Sequence, residues 1–513
     1  MTAQTILPAN SVVDSGFNVA NSLRFNSADS AHLDLTDPPG NNYYGQFTFS
    51  FWVKRCKLAS EQYMVQSSAG NTTSFGGISF NSSDQLVVQL YDSTDNLALS
   101  MITTRVFRDI SAWYHIMIAF DLSDGTTADR IKIYVNGTRE TSFATSTIPG
   151  AGFGSAMFIN ATDPLYIGRG RNTGGTTVYS DFYLAQFLCV TADSGDTDGL
   201  NADAELIPTQ VGEFDEDSGI WKPIEIDTAV LGASLDMSDN LGTNGFFLDF
   251  TDSSNLGNDV NGGTDWDENN ITAADQSTDT CTNNFATLAS GLYTSGATIS
   301  QGNLQYQAPG SNPVFGSLTT IGVDNGKWYA EVKYTAGSNH YLVLGIADEV
   351  FAGLSDLGTN TNTDLGKVGA SLSTQAAAQN STVAYVVNTG KIRNNNANGD
   401  YGSGGGDGDI IQIALDRDNR KVYFGINGTY EASGDPGAGS NGFDLSSLVT
   451  GDTYFIGVTN DTGASETIAE FNFGSPSYAI SSSNADANGH GNFEFAVPSG
   501  FFALCTKNLA EHG

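Results

Sequence analysis

The clearest structural signal in this sequence is GDIIQIALDRDNRKVYFGINGTYE, residues 408–431. Ile411, Ile413 and Leu415 recur at every second position, and this spacing is typical of a β-strand that turns one face toward a core. The Asn-Gly dipeptide at 427–428 then fits a two-residue type I′ turn, in which both residues adopt positive φ. The stretch therefore predicts an antiparallel β-hairpin.

The same device occurs earlier, in DRIKIYVNGTRE at residues 129–140. Ile131, Ile133 and Val135 face one side of the predicted strand, and Asn-Gly at 136–137 again supplies the turn. The two hairpins can reflect a common origin of two domains or convergence, since Asn-Gly is the best two-residue hairpin turn. Convergence is favoured because the match is short.

Short runs of β-branched and aromatic residues with turn signals between them recur through the chain, whereas helical spacing is hard to find. The sequence therefore predicts an all-β protein with two antiparallel β-sandwich (jelly-roll) domains joined by a largely irregular connector. The predicted segments are an N-terminal arm at 1–21, a first sandwich at 22–191, a connector at 192–291, a second sandwich at 292–480 and an apolar C-terminal tail at 481–513.

The composition excludes several functional classes. Lys and Arg number 21 against 57 Asp and Glu, which gives a formal charge of −36 over 513 residues. Such a surface repels phosphate backbones and anionic lipids, so we expect no nucleic-acid partner and no membrane insertion. The N-terminus lacks the features of a secretory signal, and no apolar run reaches the length of a membrane helix. The cysteines lie too far apart in sequence for a zinc site and are predicted to be buried free thiols: Cys56, Cys189, Cys281 and Cys505.

Two families resemble the strand-dense regions. Residues 22–191, with FTFSFWVKR, WYHIMIAFD, RIKIYVNGT, PLYIGRG and FYLAQFLCV in order, resemble a laminin-G/concanavalin-like jelly roll. Residues 326–474, with GKWYAEVKY, YLVLGIAD and GDIIQIALDRDNRKVYFGINGTY, resemble a SPRY domain. Together these resemblances imply a binding module and no particular ligand.

Four further segments resemble connector and terminal segments of structural proteins from tailed bacteriophages, particularly those of aquatic bacteria. They are GEFDEDSGIWKP at 212–223, NGFFLDFTDSSNLGND at 244–259, ITAADQSTDTCTNNFATL at 271–288 and PSGFFALCTKNL at 498–509. The resemblance implies a virion structural protein of the tail fibre or receptor-binding type, made in the host cytoplasm and displayed on the tail for host recognition. A capsid-attached fibre or decoration protein is the alternative, and a polysaccharide depolymerase is a third hypothesis.

The partners implied are other virion proteins, a host-surface glycan or protein, and further copies of this chain. Oligomers of such proteins are cyclic, and a trimer is favoured for a fibre. Residues 1–21 are the predicted docking arm, because terminal arms often pair with a neighbouring surface. Binding would be weak at each site and strengthened by several copies on one particle.

No enzyme is predicted, because no nucleophile, base or metal-spaced set stands out. The histidines are isolated in the sequence, and a residue such as His115 on a strand face is usually structural: His32, His115, His340, His490 and His512. With 57 acidic residues, no carboxylate pair can be chosen for a depolymerase. Trp52, Trp113 and Trp328 are predicted core residues, while Trp221 and Trp266 anchor the connector.

Tyr401, in the Gly-rich stretch NANGDYGSGGGDGD, is the candidate glycan-binding residue, since exposed aromatic rings stack on sugars. The alternative is that its ring only covers a loop. No cofactor is predicted. An acidic stretch offers hard oxygen atoms for structural calcium but lacks EF-hand spacing, and acidic loops are more often solvated, so no metal ligand is assigned. That stretch contains Asp252, Asn255, Asp259, Asp265 and Asp267.

Overall fold

The structure is a computed structural model. It describes residues 16–36, 45–68, 75–91, 96–151, 163–172, 174–192, 204–235, 237, 240–289, 297–308, 316–336, 342–349, 363–364, 367–368, 382–394, 397–446, 451–460 and 467–513. Most of the predicted docking arm, residues 1–15, and His340 lie outside these ranges. The chain divides into two compact units, an N-terminal unit, Ala9–Thr282, and a C-terminal unit that contains Asn283–Gly513.

Regular structure in both units is almost entirely β, which confirms the predicted fold class. The described residues contain two short α-helices, α1 (Thr228–Ser234) and α2 (Thr506–His512). Neither they nor any other described helix has the length and apolar character needed to cross a membrane.

The N-terminal unit is a β-sandwich with two large antiparallel sheets and two small hairpins. Its strands are β1 (Ser22–Phe25), β2 (His32–Leu35), β3 (Gln46–Arg55), β4 (Gln62–Ser68), β5 (Phe75–Phe80), β6 (Gln85–Tyr91), β7 (Leu97–Val106), β8 (Trp113–Asp121), β9 (Ile131–Val135), β10 (Thr138–Arg139), β11 (Phe143–Thr147), β12 (Leu165–Ile167), β13 (Arg169–Arg171), β14 (Thr177–Tyr179), β15 (Phe182–Thr191), β16 (Gly212–Phe214), β17 (Trp221–Pro223), β18 (Phe246–Leu248), β19 (Asp267–Asn269) and β20 (Gln276–Ser277).

Sheet A has the strand order β10-β9-β8-β3-β15-β1-β20, with β18 also paired to β15. Sheet B has the order β11-β7-β6-β5-β4-β12-β2-β19. The core between them is rich in aromatic and branched side chains, because alternate residues of each strand point inward. Phe51 and Phe187 stack within it with ring centroids 5.1 Å apart, and Ile131, Ile133 and Val135 are buried as the alternation predicts.

Both predicted Asn-Gly turns are confirmed. Asn136 and Gly137 have φ of 48° and 71°, and Asn427 and Gly428 have φ of 48° and 86°. The side chain of Asn136 also accepts a hydrogen bond from the N–H of His115 at 2.8 Å on the neighbouring strand. The turn residue thus closes the hairpin and ties it to the next strand in the sheet.

Residues 204–282 belong to the N-terminal unit, where they cover the outer face of sheet A. Met117 and Leu188, which point away from the inter-sheet core, are buried against Leu206, Val211 and other residues of this segment. The segment also adds β18 and β20 to sheet A and β19 to sheet B. An irregular, Asp- and Gly-rich stretch therefore completes the sandwich.

The C-terminal unit is a second β-sandwich. Its strands are β21 (Thr298–Ser300), β22 (Gln305–Ala308), β23 (Gly316–Leu318), β24 (Lys327–Ala336), β25 (Leu342–Asp348), β26 (Thr363–Asp364), β27 (Lys367–Val368), β28 (Thr382–Val386), β29 (Lys391–Asn394), β30 (Ala397–Asp400), β31 (Ile410–Asp416), β32 (Lys421–Ile426), β33 (Thr429–Tyr430), β34 (Phe443–Asp444), β35 (Tyr454–Asn460), β36 (Thr467–Asn472) and β37 (Phe502–Ala503).

Sheet C has the order β21-β22-β36-β24-β31-β32-β33, with β34 on β32 and β37 parallel to β24. Sheet D has the order β23-β35-β25-β28-β29-β30, and β26 pairs with β27. The residues predicted to face the core, Ile411, Ile413 and Leu415, lie between the sheets with Trp328. The alternation in GDIIQIALD is thus confirmed.

The apolar C-terminal tail is covered by its own chain. Phe501 and Cys505 are buried against Tyr329 and Tyr423 on the outer face of sheet C. This C-terminal segment, residues 481–513, also bonds to Glu331 on β24. The carboxylate of Glu331 accepts the backbone N–H groups of residues 494 and 495 at 2.9 and 2.8 Å. Both sandwiches therefore carry a third layer of irregular chain on one sheet.

Candidate functional site

Tyr401 lies at the edge of the core of the C-terminal unit. Its half-buried ring makes edge contacts with Tyr385, Phe424 and Phe443, with centroid separations of 5.8, 6.1 and 6.2 Å. The N–H of Phe424 donates to its hydroxyl at 3.4 Å, and burial raises the pKa of Tyr401 to about 12. These contacts use much of the ring surface that a sugar would need, and glycan binding by Tyr401 stays a prediction.

The acidic residues proposed for calcium mainly stabilise their own loop. The carboxylate of Asp265 accepts the N–H of Asp259 at 3.0 Å and the side-chain amide of Asn255 at 2.9 Å. Asp252 accepts the N–H of Ser254 at 2.9 Å. In the part of the chain that the structure describes, no group of three or more His, Cys, Asp or Glu side chains could hold a metal ion. Structural calcium at this stretch stays a hypothesis.

A different group of side chains meets on the outer face of sheet B. The register pairs Gln66 on β4 with Tyr166 on β12, Tyr166 with Asp34 on β2, and Asp34 with Asp267 on β19. Residues directly opposite each other in antiparallel strands project to the same face. His32 lies two positions before Asp34 and thus shares that face. Four strands therefore present one row of aromatic and polar side chains.

The β13–β14 hairpin adds two more side chains to this row. Arg169 and Tyr179 are directly paired in the hairpin. The guanidinium carbon of Arg169 lies 4.2 Å from the ring centroid of Tyr166, and the ring of Tyr179 lies 5.5 Å from that of His32. The hairpin lies close to the sheet because its middle residue is Gly170, at which a Cβ atom would come within 2.2 Å of the Tyr63 ring.

We call His32, Asp34, Tyr166, Arg169, Tyr179 and Asp267 the His32 cluster. Of these, His32 is buried, Asp267 is exposed and the other four are partly exposed. Burial lowers the pKa of His32, and the charge of Arg169 lowers it further, so the imidazole is neutral at pH 7. Burial raises the pKa of Asp34, and the charge of Asp267 opposite also raises it.

Two charged groups of the His32 cluster keep hydrogen-bonding capacity that the described protein does not use, although the Asn269 side chain hydrogen-bonds to Asp34. The guanidinium of Arg169 makes no hydrogen bond or ion pair with the described residues, and neither does the carboxylate of Asp267. The Nδ1–H of His32 donates to the backbone carbonyl of Ser30 at 2.9 Å, and its Nε2 lies 4.0 Å from Asp34 Oδ2. The cluster thus combines donors, acceptors and two partly exposed phenol rings on one surface.

The sequence does not predict this cluster, because His32 is isolated in it and PLYIGRG has only the pattern of a strand. Within that strand, Tyr166 alternates with the buried Leu165 and Ile167. The outward position of Tyr166 was thus readable from the sequence. Its pairing with Asp34 was not, because the two residues are brought together by the register of strands far apart in the chain.

Residues 27–188 match a laminin-G protein-family model described as the Concanavalin A-like lectin/glucanases superfamily. The match covers less than a third of the chain and includes every member of the His32 cluster except Asp267. The match agrees with the antiparallel β-sandwich observed in the N-terminal unit. No curated protein is significantly similar to the chain.

Solved structures resemble parts of the chain at low identity. The SPRY domain of human HERC1 is 14% identical, with coverage of 34% of this chain and 91% of that chain and a TM-score of 0.24. A heptameric SAP-like pentraxin from Limulus polyphemus is 14% identical, covering 38% and 81%, with a TM-score of 0.26. A Bacteroides ovatus protein described as carbohydrate binding is 15% identical, covering 50% and 60%, with a TM-score of 0.32. With scores this low, these similarities support no functional argument.

Proposed function

We propose that this chain is a non-catalytic recognition protein whose N-terminal unit binds carbohydrate. The observation that carries the proposal is the lectin-type family match over residues 27–188. The same region supplies most of an exposed surface in which phenol rings lie beside a guanidinium and two carboxylates. Sugar sites combine apolar rings with a few convergent polar groups in this way.

We further propose the setting that the four phage-like segments suggest. The chain is a virion structural protein of a tailed phage, of the tail fibre or receptor-binding type, and its carbohydrate ligand lies on the host surface. Its partners in the particle are other virion proteins and further copies of the chain, in a cyclic oligomer that we expect to be a trimer. Several copies would turn weak single-site binding into useful avidity.

Two experiments test this proposal. The full-length chain is applied to an array of neutral and acidic oligosaccharides, and we expect retention of a defined subset; retention of none would overturn carbohydrate binding. Intact phage particles are labelled with gold-conjugated antibodies against the chain, and we expect label on the tail. Label confined to heads would overturn the tail assignment and favour capsid decoration.

A second candidate function, polysaccharide cleavage, is favoured by one observation. Asp34 and Asp267 are directly opposite on an exposed sheet face, and burial raises the pKa of Asp34. Glycosidases use two carboxylates, one of them protonated near neutral pH. Release of reducing ends from host polysaccharide by the wild-type chain, abolished in the Asp34→Asn variant, would establish cleavage. We expect no release.

A further inference from the structure

We propose that the His32 cluster is the carbohydrate site of the N-terminal unit and that it takes a neutral, hydroxyl-rich sugar residue. This inference rests on the proposed function and deepens it. Every residue of the cluster lies in one unit, on strands and a hairpin whose register brings them together. The site is therefore built on paired β-strands.

The hydrogen-bonding groups of the His32 cluster complement those of a sugar. A sugar hydroxyl donates one hydrogen bond and accepts others, so it fits between a cation with N–H groups and a carboxylate. Arg169 offers such N–H groups, and Asp267 offers carboxylate oxygen atoms, with neither engaged by the described residues. The hydroxyls of a sugar residue would thus find both donors and an acceptor on this surface.

An apolar surface lies beside these polar groups. Tyr179 and Tyr166 are both partly exposed, and the ring of Tyr179 lies against His32, which is neutral at pH 7. Sugar rings present C–H groups on one face, and these pack on aromatic rings. The guanidinium of Arg169 covers part of Tyr166, so Tyr179 has the freer ring.

The charge of the His32 cluster affects which sugars it can bind. Asp34 and Asp267 outnumber the single cation Arg169, and the chain as a whole carries −36. An acidic sugar would meet repulsion both locally and at long range, where exposed charges still steer ligands. The cluster therefore selects a neutral sugar over a uronic or sialic acid.

The His32 cluster also contains a contact that lowers the stability of the folded unit, as a binding site can. Asp34 and Asp267 are directly paired across β2 and β19, and like charges at such positions destabilise a sheet. Neutralising one of them should raise stability. If Asp34 also accepts a hydrogen bond from the sugar, the Asp34→Asn variant should melt at a higher temperature near neutral pH and yet bind more weakly. A purely structural role for Asp34 would not produce this combination.

The test uses the full chain and saturation-transfer NMR titrations with methyl glycosides of glucose, galactose, mannose and N-acetylglucosamine, with glucuronic acid as the acidic comparator. We expect at least one neutral glycoside to bind better than glucuronic acid. For that glycoside, the Arg169→Gln, Asp34→Asn and Tyr179→Ala variants should each bind about tenfold more weakly, since each loses one main contact.

Two control variants make the result specific. Gln89 lies on β6 of the same sheet face, away from the cluster, and the Gln89→Ala variant should bind as the wild type does. Tyr401→Ala tests the earlier candidate in the C-terminal unit and should also leave binding unchanged. Thermal unfolding of every variant shows whether it is folded at the titration temperature.

The outcomes separate the site from the function. Binding of a neutral glycoside that is unaffected by all three cluster variants would overturn the site and leave carbohydrate binding intact. Loss of binding only in Tyr401→Ala would move the site to the C-terminal unit. Preference for glucuronic acid would overturn the argument from charge. Failure of the wild-type chain to bind these glycosides or any sugar of the array would overturn the proposed function itself.

Discussion

Lys54 Nζ lies 2.6 Å from Asp279 Oδ2, although the two residues are 225 positions apart and their side chains are 1% and 2% exposed. The other carboxylate oxygen of Asp279 accepts the indole N–H of Trp113 at 3.1 Å. The backbone carbonyl of Asp279 accepts the hydroxyl of Ser22 at 2.6 Å. Asp279 therefore joins the end of the covering segment, residues 204–282, to three strands of sheet A.

Replacing one member of this ion pair should be strongly destabilising. We expect the Lys54→Met variant to lower the free energy of unfolding of the N-terminal unit by about 3 kcal/mol, because it leaves a buried carboxylate without its cation. Urea titration followed by tryptophan fluorescence measures the change, since four of the five tryptophans lie in this unit. The double variant Lys54→Met/Asp279→Asn should recover part of the loss.

The matched control is the exposed pair of Arg139 and Asp129, with side chains 39% and 36% exposed and a 3.0 Å contact. Exposed ion pairs contribute about 1 kcal/mol or less, so Arg139→Ala should change little. Equal losses in Lys54→Met and Arg139→Ala would contradict the role given to burial.

His115 should make the N-terminal unit sensitive to acid. Its ring lies between Trp52 and Trp221, and burial lowers its pKa to about 3 from an ordinary value of 6.5. Below pH 6.5 the unfolded chain binds a proton that the folded chain does not, so stability falls by up to about 1.4 kcal/mol for each pH unit. The loss continues until the pH approaches the folded pKa.

The measurement is the free energy of unfolding of the N-terminal unit as a function of pH, between about pH 6 and about pH 4. His115→Gln should lessen that dependence even if its ring packing is lost at neutral pH. His512→Gln, in the C-terminal unit, should leave it unchanged. An identical pH dependence in wild type and His115→Gln would show that another group causes the acid sensitivity.

Glu331 should hold the C-terminal segment onto sheet C. Its Oε1 accepts the N–H of Phe495 and the hydroxyl of Tyr329, and its Oε2 accepts the N–H of Glu494. The Glu331→Gln variant has nearly the same shape, but one oxygen becomes an NH₂ group that faces donors. We expect a loss of about 2 kcal/mol, since at least one part-buried N–H loses its charged acceptor.

Hydrogen exchange locates this effect. The amides of residues 494 and 495 should exchange faster in Glu331→Gln, with little change in the strands of sheet D. Glu470→Gln, at a partly exposed position on β36, is the control. Uniform acceleration throughout the C-terminal unit would show that Glu331 supports the whole sandwich rather than the segment.

The two Asn-Gly turns should respond differently to the same substitution. Gly137 and Gly428 both have positive φ, so alanine costs about 1 kcal/mol at either position. A Cβ atom at Gly137 would lie 2.2 Å from the Trp221 ring, whereas at Gly428 the nearest atom is 3.0 Å away, on Phe495. We expect Gly137→Ala to cost about 3 kcal/mol because Trp221 must also move.

Urea unfolding of the two variants measures this difference, and the emission maximum of Gly137→Ala should shift as Trp221 is displaced. The Gly428→Ala variant serves as the control for the same backbone strain with a milder side-chain contact. Equal destabilisation by the two substitutions would mean that the contact of Trp221 with the hairpin is readily rearranged.

Local features of the fold were predictable because neighbouring residues determine them. The positive φ values at Asn136 and Asn427 follow from the Asn-Gly pairs. Trp52, Trp113 and Trp328, predicted to be core residues from their place in strand runs, are at most 1% exposed. Trp328 lies between the sheets of its sandwich, whereas Trp52 and Trp113 lie on the outer face of sheet A with Trp221. The four cysteines are buried and free, as their spacing suggested.

The covering segments were not predictable in the same way. A stretch rich in Asp, Gly and Ser has the same composition whether it is solvated or packed, and its partners lie far away in the sequence. Asp279 and Lys54 give no local sign of their contact. Gln412 lies on the opposite face of β31 from Ile411 and Ile413, and it is buried because residues of the C-terminal tail cover that face.

The candidate site depends on the same long-range information. His32 and Asp34 are visible in the sequence as alternate residues of one strand, but Tyr166, Arg169 and Asp267 join them only through sheet register. A shift of one residue in that register would send each of these side chains to the opposite face. Residue type alone could therefore not identify the cluster.

The pairing of β20 with β1 also bears on how the chain folds while it is being synthesised. At about 5–20 residues per second, β20 leaves the ribosome roughly 10 to 50 seconds after β1, and until then that edge has no partner from β20. The apolar outer face of sheet A, with Met117 and Leu188, is covered by residues such as Leu206 and Leu241, which leave the ribosome before β20. The nascent N-terminal unit is thus most open to association with other chains before these covering residues appear, and slower translation of this stretch would lengthen that exposure.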